Sequence, residues 1–166
     1  VESELEKGSR FTVVLPLGAA RQQRKEQIEP VRQEFQLKGL RILLAEDNEL
    51  NMEIATEVLM GCGVEIVQAF NGLQAVHLFQ AAAPYTFDAI LMDMQMPELD
   101  GCGAAAAIRA LDRPDAATVP IIAVTANAFA EDIAKTTAAG MNGHIAKPID
   151  FKLLTQKLSE LIGRET

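Results

Sequence analysis

The 166 residues carry 15 Lys and Arg against 23 Asp and Glu, a formal net charge of −8, with 49% hydrophobic residues and no Trp. That hydrophobic share supports a real core and excludes wholesale disorder, and the acidic balance argues against nucleic acid or an anionic membrane as the main partner. Cys62 and Cys102 lack close Cys or His companions, no apolar run reaches the roughly 18 residues of a membrane span, and no signal-peptide pattern opens the chain; this excludes the usual zinc spacing and a disulfide-dense scaffold and leaves the expectation of a cytoplasmic protein with reduced thiols.

In chain order, Phe11 to Leu15 alternates like a half-buried strand, and Pro16 ends it. Residues 18–39 are polar, with Pro30 in the middle and a net charge of +2, and read as a linker. Residues 40–166 hold a net −9, so the acidity belongs to the long C-terminal part. There, strand-like runs at 41–45, 64–69, 87–92, 119–125 and 144–146 alternate with helical stretches at 49–60, 73–82, 104–111, 130–139 and 151–162. Leu50, Ile54 and Val58 form one apolar stripe at helical spacing, and Phe151, Leu154, Leu158 and Leu161 another. The runs 42–45, 89–92 and 121–124 are apolar on both faces, as central parallel strands covered by helices must be. Five strand–helix repeats predict a doubly wound α/β fold, whose ligand site lies outside the carboxyl ends of the strands.

The residues at those ends are Glu46 and Asp47 after the first strand, Asp93 at the third, Thr125 at the fourth and Lys147-Pro148 after the fifth. Two carboxylates about 5 Å apart at an effective dielectric near 20 repel by about 3 kcal/mol. Lys147 cannot balance three acids, so a hard divalent cation with oxygen ligands is the natural complement, and Mg²⁺ also recruits phosphate oxygens. A carboxylate so placed can act as nucleophile on a phosphoryl group. The cation, Lys147 and the Thr125 hydroxyl or a backbone N–H would share the three equatorial oxygens.

From Leu40 to Ile162 the chain resembles the receiver domain of two-component signalling. The resemblance rests on Ile42-Leu-Leu-Ala-Glu46-Asp47-Asn48, Leu91-Met-Asp93-Met-Gln-Met-Pro97-Glu-Leu-Asp100-Gly101, Ile121-Ile-Ala-Val-Thr125-Ala126 and Gly143-His-Ile-Ala-Lys147-Pro148. Asp47, Asp93, Thr125 and Lys147 follow one another at spacings of 46, 32 and 22 residues, as the family requires. It implies a flavodoxin-like, five-stranded parallel sheet of order 2-1-3-4-5 with five helices. Asp93 would be the phosphate acceptor. Asp47 and Asp93 would be direct ligands of Mg²⁺, Glu46 a water-mediated one, and Gln95 a backbone-carbonyl ligand. Thr125 would be the switch hydroxyl, Lys147 the phosphate-pairing ammonium, and the Lys147–Pro148 bond would be cis. Glu46 is one methylene longer than the Asp many receivers carry. His144 replaces the Tyr or Phe that often follows the switch hydroxyl, which would weaken that coupling or make it pH-sensitive.

Residues 7–17 resemble the last strand of a histidine-kinase ATP-binding domain. With the linker and a receiver, they imply a C-terminal piece of a hybrid histidine kinase: 1–17 remnant, 18–39 linker, 40–166 receiver. Phosphate would come from a phosphohistidine, on a histidine kinase or a histidine phosphotransfer domain, and be relayed or hydrolysed. The expected location is cytoplasmic, with no nucleic-acid or direct membrane contact, although the parent protein is free to be membrane-anchored elsewhere. The resemblance implies only self-phosphotransfer and autodephosphorylation for this chain, with the histidine-kinase activity in the parent protein.

Each residue also has a plainer reading. Glu46-Asp47 could cap the helix near Glu49, Asp93 could be a turn residue, Thr125 a strand end and Lys147 a surface charge. The runs Gly61-Cys-Gly63 and Gly101-Cys-Gly103 would end helices or shape turns. Met92, Met94 and Met96 would be packing, His77 a surface residue and Cys62 and Cys102 structural thiols. Two other functions compete. An aspartate-nucleophile phosphatase needs a second acid where Gln95 stands and often a cap domain. A degenerate receiver used only for docking would have no need of the complete acid, Thr and Lys set.

Overall fold

The computed structural model describes residues 2–4, 8–10, 12, 37–126 and 130–163. The chain divides into two compact units, 1–33 and 34–166. In the first, β1 (Glu2–Glu4) pairs antiparallel with β2 (Gly8–Arg10), in register Glu2 with Arg10 and Glu4 with Gly8. The strand expected over 11–15 and most of the expected linker lie outside the described residues, apart from Thr12, which is in no strand.

The second unit holds β3 (Arg41–Ala45), α1 (Glu49–Gly61), β4 (Glu65–Ala69), α2 (Gly72–Ala81), β5 (Ala89–Asp93), α3 (Gly101–Arg109), β6 (Ile121–Thr125), α4 (Ala130–Ala138), β7 (Gly143–Ala146) and α5 (Phe151–Ile162). The sheet is wholly parallel in the order β4-β3-β5-β6-β7. Counted from the first parallel strand this is 2-1-3-4-5, as the receiver resemblance implies. Every residue of β5 and β6 is buried, which explains why their sequences do not alternate.

Two cores flank the sheet. Ile42, Leu44, Leu91, Ile122 and Val124 pack on Met52, Ala55 and Leu59 of α1 and Leu154 and Leu158 of α5. Leu43, Ile90, Met92, Ile121 and Ala123 pack on Ala75, Val76 and Phe79 of α2 and Ala104, Ala105 and Ile108 of α3. Each fully buried Leu, Ile or Phe contributes roughly 1.5–3 kcal/mol of transfer free energy. Leu37 and Leu40, just ahead of β3, are buried in the first of these cores.

Helix starts follow side-chain caps. Asn48, Asn71, Asp100 and Asp150 accept hydrogen bonds from the backbone N–H of Asn51, Gln74, Gly103 and Lys152, respectively, each such cap being worth about 1 kcal/mol. The cap of α1 is therefore Asn48, and Glu46 and Asp47 are left for other work.

The structure completes one local reading and corrects another. The stripe Leu50, Ile54 and Val58 lies on α1 as spaced but faces solvent, at 63%, 48% and 37% exposure. The core face is Met52, Ala55 and Leu59, so α1 carries two apolar stripes, and only the second meets the sheet. Gly101-Cys102-Gly103 ends no helix; it opens α3 behind its Asp100 cap. A Cβ on Gly101 would stand 2.3 Å from the Asp93 carbonyl oxygen, and one on Gly72 would stand 2.1 Å from that of Leu99. These glycines let the loop after β5 lie against the helices on both sides. Gly61-Cys62-Gly63 does end α1, with Gly63 at φ 83°. Met92 and Met96 are buried, with Met94 packed against the same core.

Candidate functional site

Parallel pairing brings the ends of β3, β5, β6 and β7 to one edge of the sheet. Asp93 is the last residue of β5 and pairs in register with Val124, one residue before Thr125. Thr125 pairs with Ala146, and its carbonyl accepts the Lys147 backbone N–H at 2.7 Å. The Lys147–Pro148 peptide is cis. The Glu46 N–H donates to the Ala69 carbonyl at 3.0 Å, extending the β3–β4 ladder by one residue into the site.

One carboxylate oxygen from each of Glu46, Asp47 and Asp93 lies within 4.8 Å of the others. Glu46 and Asp93 are each 4% exposed and Asp47 is exposed, so the cluster is a pocket floor with one open side. The Lys147 ammonium donates at 2.7 Å to Glu46 Oε2 and at 2.7 Å to Asp93 Oδ2. With three carboxylates and one ammonium, the four groups retain two negative charges when all are ionised. That is the deficit a divalent cation fills, and an all-oxygen donor set suits Mg²⁺.

Burial is the largest influence on Asp93 and pushes its carboxyl up from the ordinary aspartate value; nearby Glu46 adds to this. The hydrogen bonds from Lys147 and from the Gln95 backbone N–H work the other way without winning. Burial acts on Lys147 too and by itself would lower it, but its bonds to Asp93 and Glu46 hold the ammonium above the usual lysine value. The pocket thus holds a secure ammonium facing a carboxylate that is costly to ionise without further positive charge.

The remaining predicted residues fall around this cluster. Gln95 is exposed, and its backbone N–H donates to Asp93 Oδ1 at 3.2 Å. Thr125 is 7% exposed at the strand end. His144 is half-buried and pairs in register with Ala123. Because side chains alternate along a strand, Thr125 and His144 share the sheet face that packs on α2 and α3, one diagonal step apart. His77 is exposed on α2, away from this edge. One neighbour of the cluster is absent from the sequence reading. Asn51, in the first turn of α1, donates from Nδ2 to Glu46 Oε1 at 3.0 Å. Its only signal in the sequence is a position one helical turn past an acidic pair.

Known proteins resemble the chain. The family model described as "response regulator receiver domain" matches residues 42–159. The peroxide stress-activated histidine kinase mak1 of Schizosaccharomyces pombe is 33% identical over 145 residues, covering 87% of this chain but 9% of that protein. The chain therefore spans about a tenth of the length of that curated relative. The receiver domain of the Pseudomonas aeruginosa PAO1 sensor histidine kinase PA1611, solved with a magnesium ion coordinated in its active-site cleft, is 39% identical. That match covers 75% of this chain and 98% of that one, with a TM-score of 0.68. The receiver of Saccharomyces cerevisiae Ssk1, solved with the histidine phosphotransfer protein Ypd1, is 28% identical over 74% of this chain and 88% of that one, at a TM-score of 0.65. The chain belongs to the response regulator receiver domain family, the receivers of two-component phosphorelays.

Proposed function

We propose that the chain accepts a phosphoryl group on Asp93 from a phosphohistidine and passes it to another histidine or loses it to water. The observation that carries this reading is the Lys147 ammonium set 2.7 Å from both Asp93 and Glu46, at the edge where Asp47 completes an acidic trio. An Asp93 oxygen would form the new O–P bond as the P–N bond breaks, and the electron pair of that bond would leave with the imidazole. Lys147 would move to a phosphoryl oxygen while Thr125 donates its hydroxyl to another. Asp47 and Asp93 would hold Mg²⁺ directly, Glu46 through water and Gln95 through its backbone carbonyl. Bound there, Mg²⁺ supplies positive charge to Asp93 and to the phosphoryl oxygens.

His144, on the Thr125 face of the sheet, would be the switch side chain that follows that hydroxyl. The relatives support a hybrid histidine kinase as parent, with its phosphohistidine domain or a histidine phosphotransfer domain as partner, and the receiver would lie on the cytoplasmic side. The described residues contain no helix long and apolar enough to cross a membrane.

Labelling with a small phosphodonor tests the assignment. The wild type should gain an acid-labile phosphate only with Mg²⁺, and Asp93→Asn should gain none. Persistent labelling of Asp93→Asn would remove Asp93 as acceptor, and failure of the wild type to label would leave a docking-only receiver.

A further inference from the structure

We infer that Asn51 is a positioning residue that sets the Glu46 carboxylate for the metal site. The inference rests on the function proposed above and adds to it a residue outside the acid, Thr and Lys set.

Glu46 has one more rotatable bond than Asp, so its carboxylate must be oriented by neighbours or lose side-chain entropy on binding. Its two oxygens have separate partners. Oε2 accepts from Lys147 at 2.7 Å, while Oε1 accepts from the Asn51 amide at 3.0 Å and from the Asn48 backbone N–H at 3.4 Å. Asn51 is itself fixed, because its backbone N–H donates to the capping Asn48 side chain at 3.1 Å. Cap, amide and carboxylate thus form one rigid corner at the start of α1. Only the Nδ2 end of the amide can face a carboxylate oxygen favourably, so the side chain has a single useful orientation.

Lys147 is shared. It holds Asp93 as well as Glu46, and in the proposed reaction it turns to a phosphoryl oxygen. Glu46 would then depend on the α1 corner to stay in place. Second partners of this kind orient metal-binding carboxylates, and their loss is usually read in metal affinity.

The test is a Mg²⁺ titration of the full chain followed by amide chemical shifts, on the wild type, Asn51→Ala, Asn51→Gln, Glu46→Gln and Asn51→Ala with Glu46→Gln. Asn51→Ala should weaken Mg²⁺ binding roughly 3- to 10-fold, below the usual span for such partners because Asn51 is exposed. Asn51→Gln, which keeps the donor, should recover part of the loss. In the Glu46→Gln background, Asn51→Ala should add nothing, an outcome that a general loosening of α1 cannot produce. Wild-type affinity in Asn51→Ala, or an equal loss in both backgrounds, would overturn the inference while leaving the metal site intact. Absence of saturable Mg²⁺ shifts in the wild type would instead overturn the metal reading, and this inference with it.

Discussion

At Asp93, burial and the neighbouring Glu46 oppose the ionised form more than Lys147 and the Gln95 N–H favour it, and this has a consequence for stability. Between the ordinary aspartate value and its raised folded value, the folded state keeps a proton that the unfolded chain has lost. Stability therefore falls as pH rises through that window, and above it the ionised carboxylate costs its full amount. Lys147 stays protonated throughout, since its own shift is upward. Asp93→Asn should accordingly raise the thermal midpoint of the metal-free protein by a few degrees at pH 7 and leave it unchanged near pH 3. Mg²⁺ should reverse the order, because ligand binding to the folded state stabilises by mass action and the variant lacks a ligand. Melting curves in chelator and in excess Mg²⁺ at both pH values would show this. A wild type more stable than Asp93→Asn at pH 7 without metal would contradict it.

Along the elements, most strand and helix positions are legible from hydrophobic pattern, and the exceptions share a cause. Periodicity locates α1 but cannot choose between its two apolar stripes, because the choice depends on where the sheet lies. Position 101 is a glycine because the Asp93 carbonyl passes where a Cβ would stand, a contact between residues eight apart in sequence that no local rule reports. Two arginines are likewise silent in the sequence. Arg109, at the end of α3, donates to the carbonyls of Ala116, Val119 and Gly140 and to the Asn142 side chain, tying α3 to the start of β6 and to the turn after α4. Arg113 pairs with Asp115 at 2.6 Å, donates to the Phe79 and Ala82 carbonyls and lies over the Phe79 ring at 4.2 Å. The Arg113 hydrogen bond, the largest influence, holds Asp115 below the ordinary aspartate value. Its stabilisation is complete above that value and is lost as pH falls through the depressed one. Asp115→Asn should then cost about 1.5–3 kcal/mol at pH 7, the range for hydrogen bonds to charged groups, since Arg113 and the Tyr85 N–H keep only a neutral amide oxygen as acceptor. The gap between variant and wild type should narrow in acid. Urea unfolding at pH 7 and pH 3 measures both; a gap that is constant with pH would mean the charge is not what matters.

For the molecule as a whole, Glu46, Asp47, Asp93, Thr125 and Lys147 are legible as a candidate site because a parallel sheet carries its strand ends to one edge whatever the details of packing. Asn51 is not, because its role depends on a side-chain hydrogen bond across a helix start. Nor does sequence alone place the exposed stripe, of which Ile54 lines a cavity beside Glu46 and Lys147. That cavity, of about 180 Å³, lies between Asn51 and Ile54 on α1 and the stretch from Lys147 to Phe151. Asp93 is 4% exposed, so in the proposed function a phosphohistidine would have to reach it from this edge of the sheet. The partner's apolar surface would then meet Leu50, Ile54 and Val58, the large side chains that α1 leaves in water. A small phosphodonor needs none of them. Ile54→Ser should therefore slow phosphotransfer from a histidine phosphotransfer protein about tenfold, the loss of roughly 1.4 kcal/mol expected for an interface anchor. Labelling by the small phosphodonor should stay at the wild-type rate, which separates lost docking from a damaged pocket. Ile54 is about half exposed in the free chain, so Ile54→Ser should lower the thermal midpoint only slightly. Equal transfer rates for Ile54→Ser and wild type would place the docking face elsewhere, and a parallel fall in both reactions would return Ile54 to the pocket itself.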